Sequence, residues 1–304
     1  MRGVEARTGE VEGVSGEVVR MAGQTYEADA VVAAPGLDLD LGWVPDVPGV
    51  YAFWDPAGAE AASSAVRAVE AGTVAVVVSS LPYRCPPAPF GLAMELASYY
   101  GVRDVRVVLT TPEQVPLAAV GGGVPEFLAR SCAEAGVELL TGFEPDLGSL
   151  GDARLRSVDG SEVGYEVALV IPPHVRSPLL AGLGSEGPLV PVSQRFESPE
   201  PGLFVVGDAA AVPLPRAAGA AVAEGETAAD AIVERLGLSE EEPRLPEPEC
   251  YVGHGGGRYS RISLRYPDGL PPAGSAEVTV EGPSERFAAG FEASFDHWRE
   301  LCGG

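Results

Sequence analysis

The sequence predicts an α/β fold built around a parallel sheet, and the stretch from residue 73 to residue 141 carries this prediction. Three runs rich in valine, leucine and threonine, 73–79, 105–110 and 137–141, alternate with two helical stretches, 91–100 and 125–135. The first two runs are apolar over most of their length, which is typical of strands covered on both faces. Alternation of strand and helix indicates a right-handed crossover unit with parallel strands.

Shorter elements flank this unit on both sides. Further strands are predicted at 17–21, 24–28, 30–34, 153–158, 163–165, 167–171 and 203–206. Further helices are predicted at 57–71 and 217–236. The acidic, proline-rich segment 239–249 is predicted to be a linker, and 251–304 is predicted to form a small sheet and a terminal helix.

The composition is that of a globular protein, with 46% hydrophobic and 21% charged residues in a chain of 304. This length is enough for two domains at roughly 100–200 residues each. The 44 acidic residues outnumber the 20 basic ones and give a formal net charge of −24. Such a charge disfavours binding to nucleic acid or to anionic lipid, because both require a basic surface.

The sequence shows neither a membrane-spanning segment nor a secretory signal. Its longest apolar runs are far shorter than the ~20 residues that cross a bilayer, and its first residues are acidic and lack an apolar stretch. Four cysteines are too few for a secreted disulfide scaffold. We therefore expect a cytoplasmic protein without a metal site. Attachment to the periphery of a membrane is the alternative.

Two places are candidates for a glycine loop that binds a dinucleotide, and neither has the required context. Residues 182–187 have the spacing G-x-G-x-x-G, but prolines flank them and no strand precedes them. The loop after the run 73–79 carries prolines and Cys85 where glycines would let the backbone approach a pyrophosphate. The sequence therefore argues against NAD(P) binding at that loop and against an NADH:quinone dehydrogenase.

Five motifs follow one another along the chain, and Cys250 comes after them. They are DAVVAAPG (29–36), RCPPAPFGLAMELA (84–97), IPPH (171–174), GLFVVGDAA (202–210) and PLPRAAGAAVAEG (213–225). In this combination the sequence resembles the sulfide:quinone oxidoreductase and flavocytochrome c sulfide dehydrogenase group. That group belongs to the FAD-dependent pyridine nucleotide-disulfide oxidoreductase superfamily, and the resemblance covers nearly the whole chain.

The resemblance implies two dinucleotide-binding-like (Rossmann-type) domains, the first N-terminally truncated, plus a small C-terminal α+β region. The implied segments are a partial FAD-binding domain (1–45), an NAD-binding-like domain without a glycine loop (46–166), a return of the FAD-binding domain (167–238) and a C-terminal domain (239–304). The family's first glycine-loop unit, for the FAD pyrophosphate, is missing from the sequence. A start codon placed too late, a separate chain supplying that unit, or the loss of FAD binding would each explain this.

The resemblance also implies that Cys85 and Cys250 are catalytic. In the family these cysteines face one side of the isoalloxazine ring and exchange electrons with sulfide sulfur. The reactive form is a thiolate, and Arg84 next to Cys85 favours it electrostatically. The residues alone leave open that both cysteines are small buried side chains. A third cysteine found in some members is absent from 50–55, and Cys132 is expected to pack in its helix.

FAD is the implied cofactor, and the implied FAD-binding residues are Gly36, Gly207, Asp208, Arg216 and Ala217. Asp208 ends a predicted strand, where its carboxylate would accept hydrogen bonds from ribityl hydroxyls. Gly207 gives the backbone room to turn. The helix that begins near Ala217 would present its N-terminus to negative charge, and Arg216 would add positive charge there.

The resulting prediction is a flavin-dependent oxidoreductase of the sulfide dehydrogenase type. It would pass electrons from a sulfur-containing small molecule through the cysteine pair and FAD to a quinone or cytochrome. The alternative is a cofactor-less remnant, or one subunit of a split flavoprotein, with a non-catalytic binding role. His174 is expected to be structural, whereas His254 is a candidate proton donor. Phe287, Phe291, Phe295 and Trp298 form an apolar stripe that either packs on the chain's own core or contacts a membrane.

Overall fold

The computed structural model describes residues 4–118, 120–184, 186–239, 241–242 and 244–293. The chain forms two compact units. The N-terminal unit comprises Met1–Asp38 and Val175–Pro246, and the central unit comprises Leu39–His174 and Glu247–Gly304. The residues from Glu247 onward thus group with the central unit, and the four-segment domain division stays a prediction.

Short strands and four helices make up the regular structure of the described residues. The strands are β1 (Val11–Ser15), β2 (Val18–Met21), β3 (Gln24–Glu27), β4 (Val31–Ala33), β5 (Leu37–Leu39), β6 (Val50–Ala52), β7 (Gly72–Val78), β8 (Val105–Thr111), β9 (Glu138–Thr141), β10 (Pro145–Asp146), β11 (Arg154–Ser157), β12 (Glu162–Gly164), β13 (Val167–Ile171), β14 (His174–Arg176), β15 (Leu203–Val205), β16 (Glu249–Gly253), β17 (Tyr259–Arg265) and β18 (Glu277–Ser284). The helices are α1 (Pro56–Ala68), α2 (Ala88–Tyr100), α3 (Val124–Glu134) and α4 (Ala218–Arg235).

The central unit contains a five-stranded parallel sheet in the order β6–β13–β7–β8–β9. In its middle strand, Val76 lies opposite Leu169 on one side and Leu109 on the other. The five residues from Val74 to Val78 have no exposed surface. A strand with sheet neighbours at both edges and covered faces must be apolar throughout, which explains the continuous run in the sequence. The predicted α/β fold class is confirmed.

Alternate residues of β7 point to opposite faces of the sheet. Ala75 and Val77 pack into a core with Leu155 and Val163, which come from the antiparallel strands β10–β11–β12. Helix α2 packs against β7 and β8, α3 packs against β9, and α1 packs against β6. This layering leaves the carboxyl ends of the parallel strands to be occupied by loops, where ligand sites of α/β proteins usually lie.

The antiparallel sheet β16–β17–β18 also belongs to the central unit, and its first strand packs on helix α2. The 3-10 turn Glu285–Phe287 and helical residues 288–293 follow this sheet, and the ring of Phe291 stacks on that of Tyr259 at 4.5 Å. Phe287 is buried, in agreement with packing on the chain's own core. Phe295, Trp298 and Cys302 lie outside the described residues.

The N-terminal unit contains the antiparallel strands β1–β2–β3 and a parallel pair formed by β4 and β15. Its buried core is made of apolar residues from the parallel pair and from the segment 180–209. Its members are Val31, Ala33, Leu180, Leu183, Val190, Leu203, Val205 and Ala209. Strands β5 and β14 lie where the chain passes from one unit to the other. Within the described part of the chain, no helix has the length and hydrophobicity to cross a bilayer.

Candidate functional site

The loop between β7 and α2 presents Cys85 to solvent. Its backbone has a φ of +52°, a left-handed conformation that is uncommon for residues other than glycine and often marks a functional position. The carbonyl of Cys85 accepts a hydrogen bond from the amide of Ala88, the first residue of α2, at 2.8 Å. The exposed thiol therefore belongs to a residue just ahead of a helix N-terminus, where a thiolate is favoured.

Tyr83 anchors the loop that carries Cys85. Its ring is 3% exposed, and its hydroxyl oxygen lies 3.0 Å from the carbonyl oxygen of Pro86 and 3.3 Å from Oε2 of Glu113. Glu113 follows β8 and also accepts hydrogen bonds from Thr111 and Leu117. Burial raises the pKa of Tyr83 well above its usual value, with further contributions from Glu113 and Cys85. The phenol is thus a neutral donor beside the Cys85 turn.

His174, the first residue of β14, contacts the same loop. Its Nε2 accepts a hydrogen bond from the amide of Arg84 at 3.4 Å, and its Nδ1 lies 2.9 Å from the carbonyl oxygen of Pro172. An imidazole that accepts at Nε2 and donates at Nδ1 is neutral. Burial, together with the charge of Arg84, lowers its pKa to about 4. These contacts agree with the structural role expected of His174.

Cys250 lies on β16 and is 9% exposed. Burial raises the pKa of its thiol to about 12, and the charges of Cys85 and Glu249 add to the effect. Cys85 therefore lies close enough to interact electrostatically with a cysteine 165 positions later in the sequence. Tyr266 belongs to the same neighbourhood, because Cys250 contributes to raising its pKa to about 12. We call Cys85, Cys250, Tyr83, Glu113 and Tyr266 the cysteine cluster.

Close packing of α2 against β16 positions the two thiols. A Cβ atom at Gly91 would lie 3.2 Å from the amide nitrogen of Gly253, so the absence of a side chain lets the strand approach the helix. Cys85 precedes this helix and Cys250 lies on this strand. The sequence contains Gly91 in the motif that carries the resemblance, yet its contact with β16 is visible only in the folded chain.

The side chains of Cys132 and His254 are both buried, and their contacts bear on the roles expected of them. Cys132 lies in α3 with no exposed surface, and burial raises its pKa to about 12. The ring of His254 is also buried: its Nε2 lies 2.9 Å from the hydroxyl oxygen of Ser260, and the ring packs edge-on against Phe127. Burial is the main cause that lowers the pKa of His254. These contacts favour a structural role over that of a proton donor.

The predicted cofactor residues Gly36 and Gly207 follow two neighbouring parallel strands of the N-terminal unit, β4 and β15. Both have left-handed backbones, with φ values of +70° and +75°. The ladder continues past β15, because the amide of Val206 donates to the carbonyl of Ala33 at 3.1 Å. A Cβ atom at Gly36 would meet no heavy atom within 4 Å. Gly36 thus has open space above its backbone, whereas an added Cβ atom at Gly207 would lie 3.6 Å from the Cβ of Ala221 in α4.

Three charged residues gather beside Gly207, and we call Asp208, Arg216 and Glu224 the charged cluster. Asp208 and Arg216 are half-buried, whereas Glu224 is 3% exposed. Burial lowers the pKa of Arg216, and the carboxyl groups of Asp208 and Glu224 act against that shift. Its Nε is buried and has no hydrogen-bond partner among the described residues. Ala217 is extended and directly precedes α4.

Sequence reasoning missed Glu224, although the sequence contains a signal for it. The buried residues of α4 are Ala220, Glu224, Thr227, Ala228 and Ala231. Their spacing of three and four residues marks one helix face. A glutamate between alanines on that face is a buried acid, and buried acids are often found at functional sites.

The chemistry of these residues fits an anionic dinucleotide such as FAD. The orphaned guanidinium nitrogen of Arg216 lacks an acceptor, which a phosphate, flavin or ribityl oxygen would provide. Gly36, where an added Cβ atom would meet no heavy atom within 4 Å, allows close approach of a ligand to the backbone. The predicted residues thus fall into two groups, one in each unit, and each group is assembled within its own unit.

Comparisons with known proteins show the fold of the chain. No family model matches it. The sulfide:quinone oxidoreductase of the hyperthermophilic bacterium Aquifex aeolicus superposes with a TM-score of 0.67 at 16% identity, covering 96% of this chain and 74% of that one. The reduced CoADR-RHD of Bacillus anthracis gives a TM-score of 0.54 at 16% identity, covering 84% and 47%.

A chain of the mitochondrial ATP synthase of Tetrahymena thermophila is also similar. Its TM-score is 0.63 at 14% identity, with 83% of this chain and 68% of that chain covered. The mixed α/β architecture of the chain is therefore one that proteins of different kinds share. At such identities the likeness is one of fold, and function must be argued from the site.

Proposed function

We propose that this chain is a flavin-dependent oxidoreductase of the sulfide dehydrogenase type. It passes electrons from a sulfur-containing small molecule through Cys85 and Cys250 and FAD to a quinone or cytochrome. The observation that supports this best is the proximity of an exposed and a buried cysteine from distant parts of the sequence, beside the carboxyl ends of parallel strands. The family that the sequence resembles performs this reaction.

The difference in exposure assigns separate tasks to the two cysteines. In the oxidised pair, hydrosulfide attacks the accessible sulfur of Cys85, and a new S–S bond forms there. The Cys85–Cys250 bond breaks, and its electron pair goes to the sulfur of Cys250. Because burial raises the pKa of Cys250 to about 12, this sulfur takes up the proton that the new persulfide on Cys85 releases. The step balances without leaving a charge in the core.

The N-terminal unit would hold FAD through Gly36, Gly207, Asp208, Arg216 and Ala217. When bound, FAD would supply a two-electron acceptor for the Cys85 persulfide and the Cys250 thiol, which would lose two electrons and their protons on joining as a trisulfide. Arg216 would pair with an anionic part of the cofactor, and Asp208 would accept hydrogen bonds from its hydroxyl groups. The glycines would keep side chains away from it.

Visible spectroscopy tests this proposal. The purified chain incubated with FAD, and freed of excess cofactor, should show the absorption of oxidised flavin, and anaerobic sulfide should bleach it while NADH should not. The variants Cys85→Ser and Cys250→Ser should abolish bleaching by sulfide. Cys132→Ala removes a cysteine outside the cysteine cluster, and sulfide should bleach the flavin of this variant as it does that of the wild type.

Three outcomes would contradict the proposal. Bleaching that survives in Cys85→Ser would show that the cysteine assignment is wrong. A folded chain that stays colourless with FAD would instead favour the second function considered, a non-catalytic remnant or a subunit of a split flavoprotein. Bleaching by NADH would indicate a nicotinamide-dependent dehydrogenase.

A further inference from the structure

Glu224 is a buried acid that the proposed reaction does not use. It lies on the inward face of α4 and is 3% exposed. An ionised carboxylate at such a place is costly, because water no longer stabilises its charge. The side chain must therefore be neutral or closely compensated.

The carboxyl group of Glu224 holds the turn that carries Asp208. The amide of Gly207 donates to Oε2 of Glu224 at 2.6 Å. Gly207 has a left-handed backbone and follows β15, so this hydrogen bond fixes the chain where it leaves the strand. A neutral carboxyl group still accepts such a bond through its carbonyl oxygen, although more weakly than an ionised one does.

The charged groups around Glu224 come from two neighbouring segments, Asp208 after β15 and Arg216 before α4. Burial raises the pKa of Glu224 to about 8, and Asp208 adds to the shift, whereas Gly207 and Arg216 act against it. Near neutral pH, Asp208 and Arg216 then balance each other. Ionisation of Glu224 would give the cluster a net negative charge.

We propose that Glu224 is a positioning residue of the cofactor site that works as a neutral acid. It fixes the Gly207–Asp208 turn and leaves the guanidinium of Arg216 available to an anionic part of FAD. This inference rests on the proposed function, because it takes FAD to be the ligand of the charged cluster. Ionisation of Glu224 would both repel the cofactor and compete for Arg216.

Flavin binding as a function of pH tests the inference without a turnover assay. The dissociation constant of FAD, measured from quenching of flavin fluorescence, should increase about five-fold or more between about pH 6.5 and about pH 9.5, the effect of one added charge a few ångströms away. Glu224→Gln is permanently neutral and keeps the acceptor for Gly207, so it should bind as wild type does near neutral pH and lose the increase. Glu226→Gln, on the exposed side of the same helix, should still show the increase in the dissociation constant at high pH.

The unfolding equilibrium provides a second readout that needs no cofactor. A carboxyl group whose folded pKa is raised contributes stability that is complete below its unfolded pKa of about 4.5 and is lost as pH rises through about 8. The free energy of unfolding of wild type, relative to that of Glu224→Gln, should therefore fall between about pH 5 and about pH 9.

Three results would overturn the inference. The first is a flat pH dependence of FAD binding in the wild type, and the second is a loss of FAD affinity in Glu224→Gln near neutral pH. The third is a wild type that binds no FAD at any pH, which would refute the proposed function together with the cofactor role of Glu224. The unfolding measurement would then still show whether Glu224 is protonated, so the two failures can be told apart.

Discussion

The cysteine cluster and the charged cluster both lie beside the carboxyl ends of parallel strands, and they differ in charge. The cysteine cluster keeps Cys250 and Tyr266 neutral by burial and exposes one thiol. The charged cluster contains Asp208 and Arg216, which are charged and half-buried. The same architectural position therefore offers two environments that differ in side-chain burial. Under the proposed function, one cluster would serve covalent sulfur chemistry and the other the binding of an anion.

The largest effect should be a difference in reactivity between the two thiols of the cysteine cluster. Under reducing conditions near pH 8, iodoacetamide should modify Cys85 at least about 100-fold faster than Cys250, because a buried thiol with a pKa of about 12 is almost entirely protonated. Peptide mass spectrometry measures both rates in one sample. Cys132 is an internal control that should react as slowly as Cys250. Equal rates at Cys85 and Cys250 would remove the asymmetry on which the proposed step depends.

His174, which contacts the loop of the cysteine cluster, and Glu224 of the charged cluster should make the stability respond to pH in opposite directions. The folded pKa of His174 is depressed to about 4, so its contribution to stability is complete above the unfolded pKa of about 6.5 and is lost as pH falls through 4. Between pH 7 and pH 4, wild type should lose about 3 kcal/mol relative to His174→Gln in the free energy of unfolding. Denaturant titrations at several pH values measure this difference. A constant difference would show that His174 is not held neutral.

A smaller effect should follow from separating α2 and β16. Gly91→Val places branched carbon atoms against Gly253, so the strand must move and the two thiols should separate. We expect a roughly ten-fold slower formation of the Cys85–Cys250 disulfide under a mild oxidant, since this bond needs close approach of the two Cβ atoms. Gly225→Val, in a helix position with no heavy atom within 4 Å of the new Cβ, is the matched control. Unchanged disulfide formation in Gly91→Val would mean that this packing does not position the pair.

The smallest effect concerns the anchor of the Cys85 turn. Tyr83→Phe keeps the buried ring but removes the hydroxyl between Pro86 and Glu113, which should let Cys85 move from the N-terminus of α2. The rate of Cys85 alkylation at neutral pH should fall about two- to five-fold, the size of a helix-terminus interaction.

Tyr100→Phe is the matched control for this effect. It also removes a hydroxyl that donates to a backbone carbonyl in the same unit, that of Val66, but at the opposite end of α2 from Cys85. It should leave the alkylation profile unchanged. If both variants lower the rate alike, the effect is a general loss of stability and Tyr83 does not position the thiol.

Local patterns in the sequence determined the elements of the central sheet. The runs at 73–79 and 105–110 predict β7 and β8 within one residue at each end, because a strand buried on both faces is apolar over most of its length. The alanine-rich stretch at 217–236 likewise predicts α4. Three-residue strands such as β5, β6 and β14 were not predicted, since so short a segment has no periodicity to read.

Only the tertiary structure decided how the site residues are arranged. Nothing local relates Cys85 to Cys250, because their proximity depends on a strand from the end of the chain packing against α2 through Gly91. The sequence contains Glu224 on the inward face of a helix, but its hydrogen bond to Gly207 exists only once β15 and α4 have packed. Hydrophobic periodicity is a short-range property of the chain, whereas burial, which sets the ionisation of these groups, depends on contacts between segments far apart in sequence.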